Sequence, residues 1–182
     1  MLIPFYQEYL NDAPELFHVA CDKDGRIIGF CMGYYMDNDA QMQRFLHKNK
    51  LSLIWKTILL LLSVNRPAWH KVISKLRRTS AEWEIVNTKY ECITNNKRGD
   101  LLSVCVLPEY RGRGYAQQLM ESFLAAMKHS GREICLLSVD TDNMAARRYY
   151  ERNGFEVYRT RGCDGLTYIK PLNVNGTDNV SD

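Results

Sequence analysis

Residues 101–127, LLSVCVLPEYRGRGYAQQLMESFLAAM, constrain what this chain can fold into more than any other stretch. The apolar run LLSVCVL reads as a strand, and Pro108 closes it because proline has no N–H to give to a ladder. Beyond the turn, Ala116, Leu119, Met120, Phe123 and Met127 recur on one helical face, with Lys128, His129 and Gly131 as a stop. Between strand and helix stand Arg111, Gly112, Arg113 and Gly114. Glycines there let the main chain approach a ligand closely, and the first free N–H groups of the helix point into the turn. Those donors and the positive end of the helix dipole suit a phosphate or pyrophosphate. The plainer alternative is that the glycines only make a tight β-to-α turn. A disordered RNA-binding segment does not fit, because that class needs repeats without packed flanks. A Walker loop is excluded by the lack of a following G-K-S or G-K-T.

Around this unit the chain alternates between strand and helix chemistry. LFHVACD (16–22) and RIIGFCMGYYM (26–36) flank the turn KDG and are expected to pair antiparallel. EWEIVNTKYECITN (82–95) reads as a further strand, followed by a turn at NKRGD. EICLLSVD (133–140) is nearly continuous and apolar, as a strand covered on both faces should be. DNMAARRYYERNG (142–154) reads as a helix capped by Asp142 and stopped by Gly154, with Ala146, Tyr149 and Tyr150 inward. Strands near 155–161 and 166–171 close the series, and the polar tail 173–182 is expected to be disordered. The order β, β, inserted helices, β, β, α, β, α, β, β predicts an α/β (α+β) domain over 1–172, a mixed sheet with helices packed against it.

Two segments now match a known pattern. V-L-P-E-Y-R-G-R-G-Y-A (106–116) resembles the acetyl-CoA signature of the GCN5-related N-acetyltransferase (GNAT) family, R/Q-x-x-G-x-G/A after a strand ending V-x-P. N-M-A-A-R-R-Y-Y-E-R-N-G-F (143–155) resembles the N-x-x-A-x-x-x-Y-x-x-x-G-F segment of the same family. The resemblance covers roughly residues 82–171 and implies a mostly antiparallel, splayed sheet with flanking helices. It implies that Val104, Cys105 and Val106 bond the pantetheine amides of acetyl-CoA. The main chain of Arg111, Gly112, Arg113, Gly114, Tyr115, Ala116 and Gln117 would hold the pyrophosphate, and Asn143 would touch the cofactor from the other arm. Tyr150 matches the proton donor to the departing thiolate. A phenol with an ordinary pKa of about 10 keeps its proton at neutral pH, as that role requires. Tyr149 is the competing candidate, read as core packing. No metal is implied.

The pattern also departs from the family. Many relatives that acetylate protein N-termini carry a Glu five residues before the motif Asn, where this chain has Ser138. Asp140, on the same strand face, as well as Asp100, Glu91, His47 and His70, could stand in, or the amine's proton could be relayed through water, and none is named as the base. The start, IPFYQEYL, leaves room only for a helix end where the family has a strand and a helix.

Residues 40–79 carry nine of the 24 basic residues and none of the 21 acidic ones. They read as a helix pair inserted after the first hairpin and broken at Pro67. As a helix, 51–64 would span about 21 Å, short of the roughly 30 Å of a bilayer core. The insertion is read as a lid or homodimer contact, as added core, or as a peripheral contact with anionic membrane through 44–78. Helical insertions of this type resemble those of family members associated with cell-envelope sugars. The acceptor expected is therefore a small-molecule amine, an amino sugar or its nucleotide conjugate. A protein amine is the alternative, and a non-catalytic acyl-CoA sensor or membrane adaptor the reading from another class. Nucleic acid is not expected as a partner. Six scattered cysteines without C-x-x-C, and no basic residue before Lys23, place the protein in the cytoplasm, at most peripheral to the inner membrane face.

Overall fold

The computed structural model describes residues 2–35, 83–90, 97–161 and 165–172. The expected insertion at 40–79, with His47 and His70, and also Glu91 and the tail, lie outside those residues. A helix α1 (Leu2–Asp12) leads through a 3-10 turn at Pro14–Leu16 into β1 (Phe17–Cys21) and β2 (Ile27–Tyr35). Eleven helical residues thus stand where the sequence left room only for a helix end. The hairpin is antiparallel as expected, and its turn is tied by the Asp22 side chain, whose Oδ1 accepts from the N–H of Asp24 (3.0 Å) and of Arg26 (2.9 Å).

Beyond the gap come β3 (Trp83–Ile85), β4 (Arg98–Val106), α2 (Tyr115–His129), β5 (Ile134–Asp140), α3 (Met144–Arg152), β6 (Glu156–Arg161) and β7 (Gly165–Pro171). Two local readings are corrected here. Among the described residues, the strand expected over 82–95 covers Trp83–Ile85 and gives way to a 3-10 turn at Thr88–Tyr90, while Arg98 to Asp100, read as part of a turn, belong to β4.

The seven strands form one sheet in the order β1-β2-β4-β5-β7-β6-β3. Every neighbouring pair is antiparallel except β4–β5, whose connection through α2 is long enough for a parallel crossover. That parallel pairing covers only Arg98–Leu101 against Ile134–Leu137. Beyond it, β4 continues beside β2 alone and β5 beside β7 alone, so the sheet opens into two arms.

Side-chain alternation assigns the helices to faces. Gly33 faces α2, since a Cβ there would lie 2.6 Å from Phe123 Cζ. Its neighbour Tyr34 points to the other face and meets Tyr9 of α1 at 5.0 Å between ring centroids. Leu119, Met120, Phe123 and Met127 of α2 are buried against the first face, together with Cys135 and Leu137 of β5 and Tyr168 of β7. Ile134, Leu136, Tyr158 and Ile169 form a second cluster from the alternate positions. The expectation that β5 is covered on both faces holds for Ile134–Leu137 and fails from Ser138 on, where the strand enters the open arm.

Candidate active site

The turn after β4 is held by contacts that its sequence conceals. The Leu107 N–H donates to Ile28 O (2.9 Å), and Pro108–Tyr110 form a 3-10 turn. Arg111 turns back so that its Nε donates to Val106 O at 3.1 Å. The Arg113 guanidinium sits 5.5 Å from the Tyr110 ring centroid, and Tyr110 Oη donates to Asp22 Oδ2 at 3.2 Å, anchoring the turn to the first hairpin. Bonds from the Arg26 and Asp24 amides and from this phenol hold the Asp22 carboxyl below its ordinary pKa, against a smaller opposing effect of desolvation. The two arginines therefore brace the turn, each through a contact of its own.

Gly112 and Gly114 have φ of +74° and +86°, a region that side chains with a Cβ avoid, and nothing lies within 4 Å of where either Cβ would be. The Gln118 N–H donates to Gly114 O, which opens the ladder of α2, so the amides of its first turn have no partner within the helix. These amides face a cleft of about 360 Å³. Val106, Arg111, Gly112, Gly114, Tyr115, Ala116 and Gln117, all named from the sequence, line it. Tyr110, Tyr149, Arg152 and Asn153 line it too, and the last two were missed because only the packing of the end of α3 against the start of α2 brings them there. An open turn with glycines at positive φ, free amides and two guanidiniums suits a pyrophosphate. Val104, Cys105 and Arg113 do not line this cleft; Val104 and Cys105 lie on the arm of β4 that has left β5.

A second cleft, about 510 Å³, lies on the other side of α3. Ser138, Val139 and Asp140 from the end of β5 line it together with Asn143, Ala146 and Tyr150 of the helix segment and with Gly165 and Leu166 of β7. The helix cap is Asn143 rather than Asp142: its Oδ1 accepts from the Ala146 N–H at 3.2 Å, the reach of an N-cap side chain to N3.

Adjacent tyrosines of α3 thus serve different clefts. Tyr149 Oη donates to Ala116 O at 2.7 Å, bridging α3 to the first turn of α2, and burial pushes its pKa well up. Tyr150 is ringed by Tyr149 (5.5 Å), Phe155 (5.9 Å) and Tyr168 (6.4 Å), and burial first, then the nearby Cys31 and Cys135, raise its pKa. Both phenols stay protonated at neutral pH, but that of Tyr149 is committed to a carbonyl.

Among the carboxyls left open by the sequence, Asp140 lines the Tyr150 cleft. Asp100 lies on the α1 face of β4, where burial pushes its carboxyl up to about 6 despite a hydrogen bond with Tyr34. Among the described residues, the first cleft has two arginines and no acid in its lining, and the second has Asp140 and no basic side chain. Among the described residues no group of three or more His, Cys, Asp or Glu is placed to hold a metal ion, and no helix is long and apolar enough to cross a membrane.

Residues 80–155, which include the turn, α2 and α3, match the model of the acetyltransferase (GNAT) family. Over that stretch the chain is similar to the GNAT family. Over 78 residues it is 36% identical to N-alpha-acetyltransferase 30 of Schizosaccharomyces pombe, a match covering 40% of this chain and 52% of that relative. The likeness therefore spans about half the length of that relative. The fold is shared with Ard1 from Thermoplasma volcanium (TM-score 0.55, 16% identity, 92% of this chain and 77% of that one). It is shared equally with Chaetomium thermophilum Naa20 in complex with a bisubstrate analogue (0.55, 22%, 93% and 73%).

These relatives correct the expected partners. The small-molecule amine is overturned by a relative whose name is that of an acetyltransferase for α-amino groups, not for amino sugars. The homodimer and the anionic membrane contact through 44–78 fall on residues outside the described ones. All of these rested on the insertion, outside the described residues, rather than on the cleft that Tyr150 lines.

Proposed function

We propose that this domain transfers an acetyl group from acetyl-CoA to the α-amino group at the N-terminus of a protein. The observation that carries the reading is the division of the two clefts by α3: a cationic, amide-lined one on one side, and an acidic one containing Tyr150 on the other. Bound acetyl-CoA would supply the acyl group as an activated thioester. The amides of Gly112 to Gln117 would hold its pyrophosphate, with Arg111 and Arg152 adding positive charge. Val104, Cys105 and Val106 offer main-chain groups along the arm of β4 that no longer pairs with β5, where an amide-bearing chain can take up the ladder. Asn143, already capping α3, stands on the opposite arm. Tyr150 keeps its proton and would release it from Oη to the leaving sulfur. Asp140 gives the second cleft the negative charge that draws in a protonated amine. That amine would give up a proton to solvent water before its nitrogen attacks the thioester carbon, and a second one as the C–S bond breaks and the amide forms. The α-amine acceptor is supported by the 36% identity to an N-alpha-acetyltransferase. A cytoplasmic setting is supported by free thiols at Cys21, Cys31, Cys105 and Cys135.

The test is thiol release from acetyl-CoA with peptides differing in their first residue, the modified amine being located by mass spectrometry. Turnover is expected with a free α-amine and not with blocked peptides carrying only internal lysine. Release with blocked peptides alone, or with none of the panel, would sink the reading.

A further inference from the structure

A proton donor is effective only when its oxygen is held close to its working position. Among the described residues no hydrogen bond to Tyr150 Oη is found, so ring packing and the seat of α3 on the sheet decide where it stands. With nine residues α3 is too short to hold a fixed place by its own ladder.

Its seat is a buried phenol. Tyr168, fully buried on β7, donates from Oη to Glu151 Oε1 at 2.6 Å and accepts from Arg147 Nε at 3.3 Å. Arg147 also donates from Nη1 to Thr141 O at 3.1 Å, fastening the loop before the helix. Arg147 and Glu151 are four residues apart, one turn of the helix, and Tyr150 lies in that turn. The Tyr168 ring is itself 6.4 Å from that of Tyr150. One hydroxyl on the sheet thus ties down the helical turn that carries the proposed donor.

We infer that Tyr168, acting through Glu151 and Arg147, is the positioning residue for the Tyr150 hydroxyl; this rests on Tyr150 as the proton donor. A tyrosine that only fills core needs no hydroxyl, and here the hydroxyl meets one anion and one cation of the same helix. Tyr168→Phe keeps the ring and removes only those two bonds.

The experiment measures kcat and KM with acetyl-CoA and the best acceptor of the peptide panel, and records tyrosine ¹³Cζ resonances of the free protein against pH. Tyr168→Phe is expected to lower kcat about tenfold with KM for acetyl-CoA within about twofold. The Tyr150 resonance, identified by its loss in Tyr150→Phe, is expected to shift and to titrate at lower pH than in the native chain. Glu151→Ala should behave likewise, whereas Glu151→Gln, which keeps an acceptor oxygen, should restore kcat to within about twofold. Native kcat and an unmoved Tyr150 resonance in Tyr168→Phe, beside a Tyr150→Phe slowed about a hundredfold, would overturn the positioning role alone. Native kcat in Tyr150→Phe would overturn the donor assignment and the positioning role with it. If no peptide turns over, the resonance decides, and an unmoved one overturns the inference.

Discussion

Asp100 shows at the scale of one residue how a strand position can be costly. Its carboxyl is desolvated beneath α1, so the folded chain keeps the proton up to about pH 6, whereas the unfolded chain releases it near 3.8. Below pH 3.8 the group is neutral in both states and has no effect on the balance. Between 3.8 and about 6 the unfolded state alone gives up its proton, and stability falls as pH rises through that window. Above it the loss levels off on the order of 3 kcal/mol. Asp100→Asn is therefore expected to be more stable than the native chain above pH 6 and equal to it near pH 3.5, measured by urea unfolding across pH. A variant no more stable at pH 7 would show that the carboxylate is compensated in the fold. Sequence named Asp100 as a candidate carboxyl but could not see its burial, which depends on α1 lying across β2 and β4.

Between elements, α2 approaches the sheet closely. At Gly33 a Cβ would fall 2.2 Å from Asp100 O and 2.6 Å from Phe123 Cζ, and the backbone oxygen cannot rotate away. Gly33→Ala should therefore push α2 off β2 and β4 and cost roughly 1–3 kcal/mol. A drop in thermal midpoint would report it, and an unchanged midpoint would mean that the helix has room to move. The helix itself was legible from the spacing of Leu119, Met120, Phe123 and Met127, all buried as that spacing requires. The cap of α3 was not: Asp142 and Asn143 are both good caps by residue type, and only the Oδ1 to Ala146 bond distinguishes them. The roles of Tyr149 and Tyr150 likewise diverge through a partner, Ala116 O, that lies 33 positions away.

For the whole molecule, strand order sets how stability is distributed. β5 is paired on both sides and buried at Ile134–Leu137, whereas β1 and β3 are the sheet edges among the described residues. Amide hydrogen exchange should be slowest in the first half of β5 and in the facing part of β7, and fastest in β1 and β3. Comparable protection of β3 would mean that a further element pairs with its free edge. Local chemistry by itself determined the strand, glycine turn and helix at 101–129, the two motif segments and the class of the fold, because periodicity, proline and positive-φ glycines act between near neighbours in the chain. Only the tertiary structure decided that β3 pairs with β6 at the far edge, that β4 and β5 part after Leu101 and Leu137, and that Tyr168 reaches under α3. Those contacts join positions far apart in the chain. Their stability comes from burial and hydrogen bonds that exist only once the whole sheet has assembled.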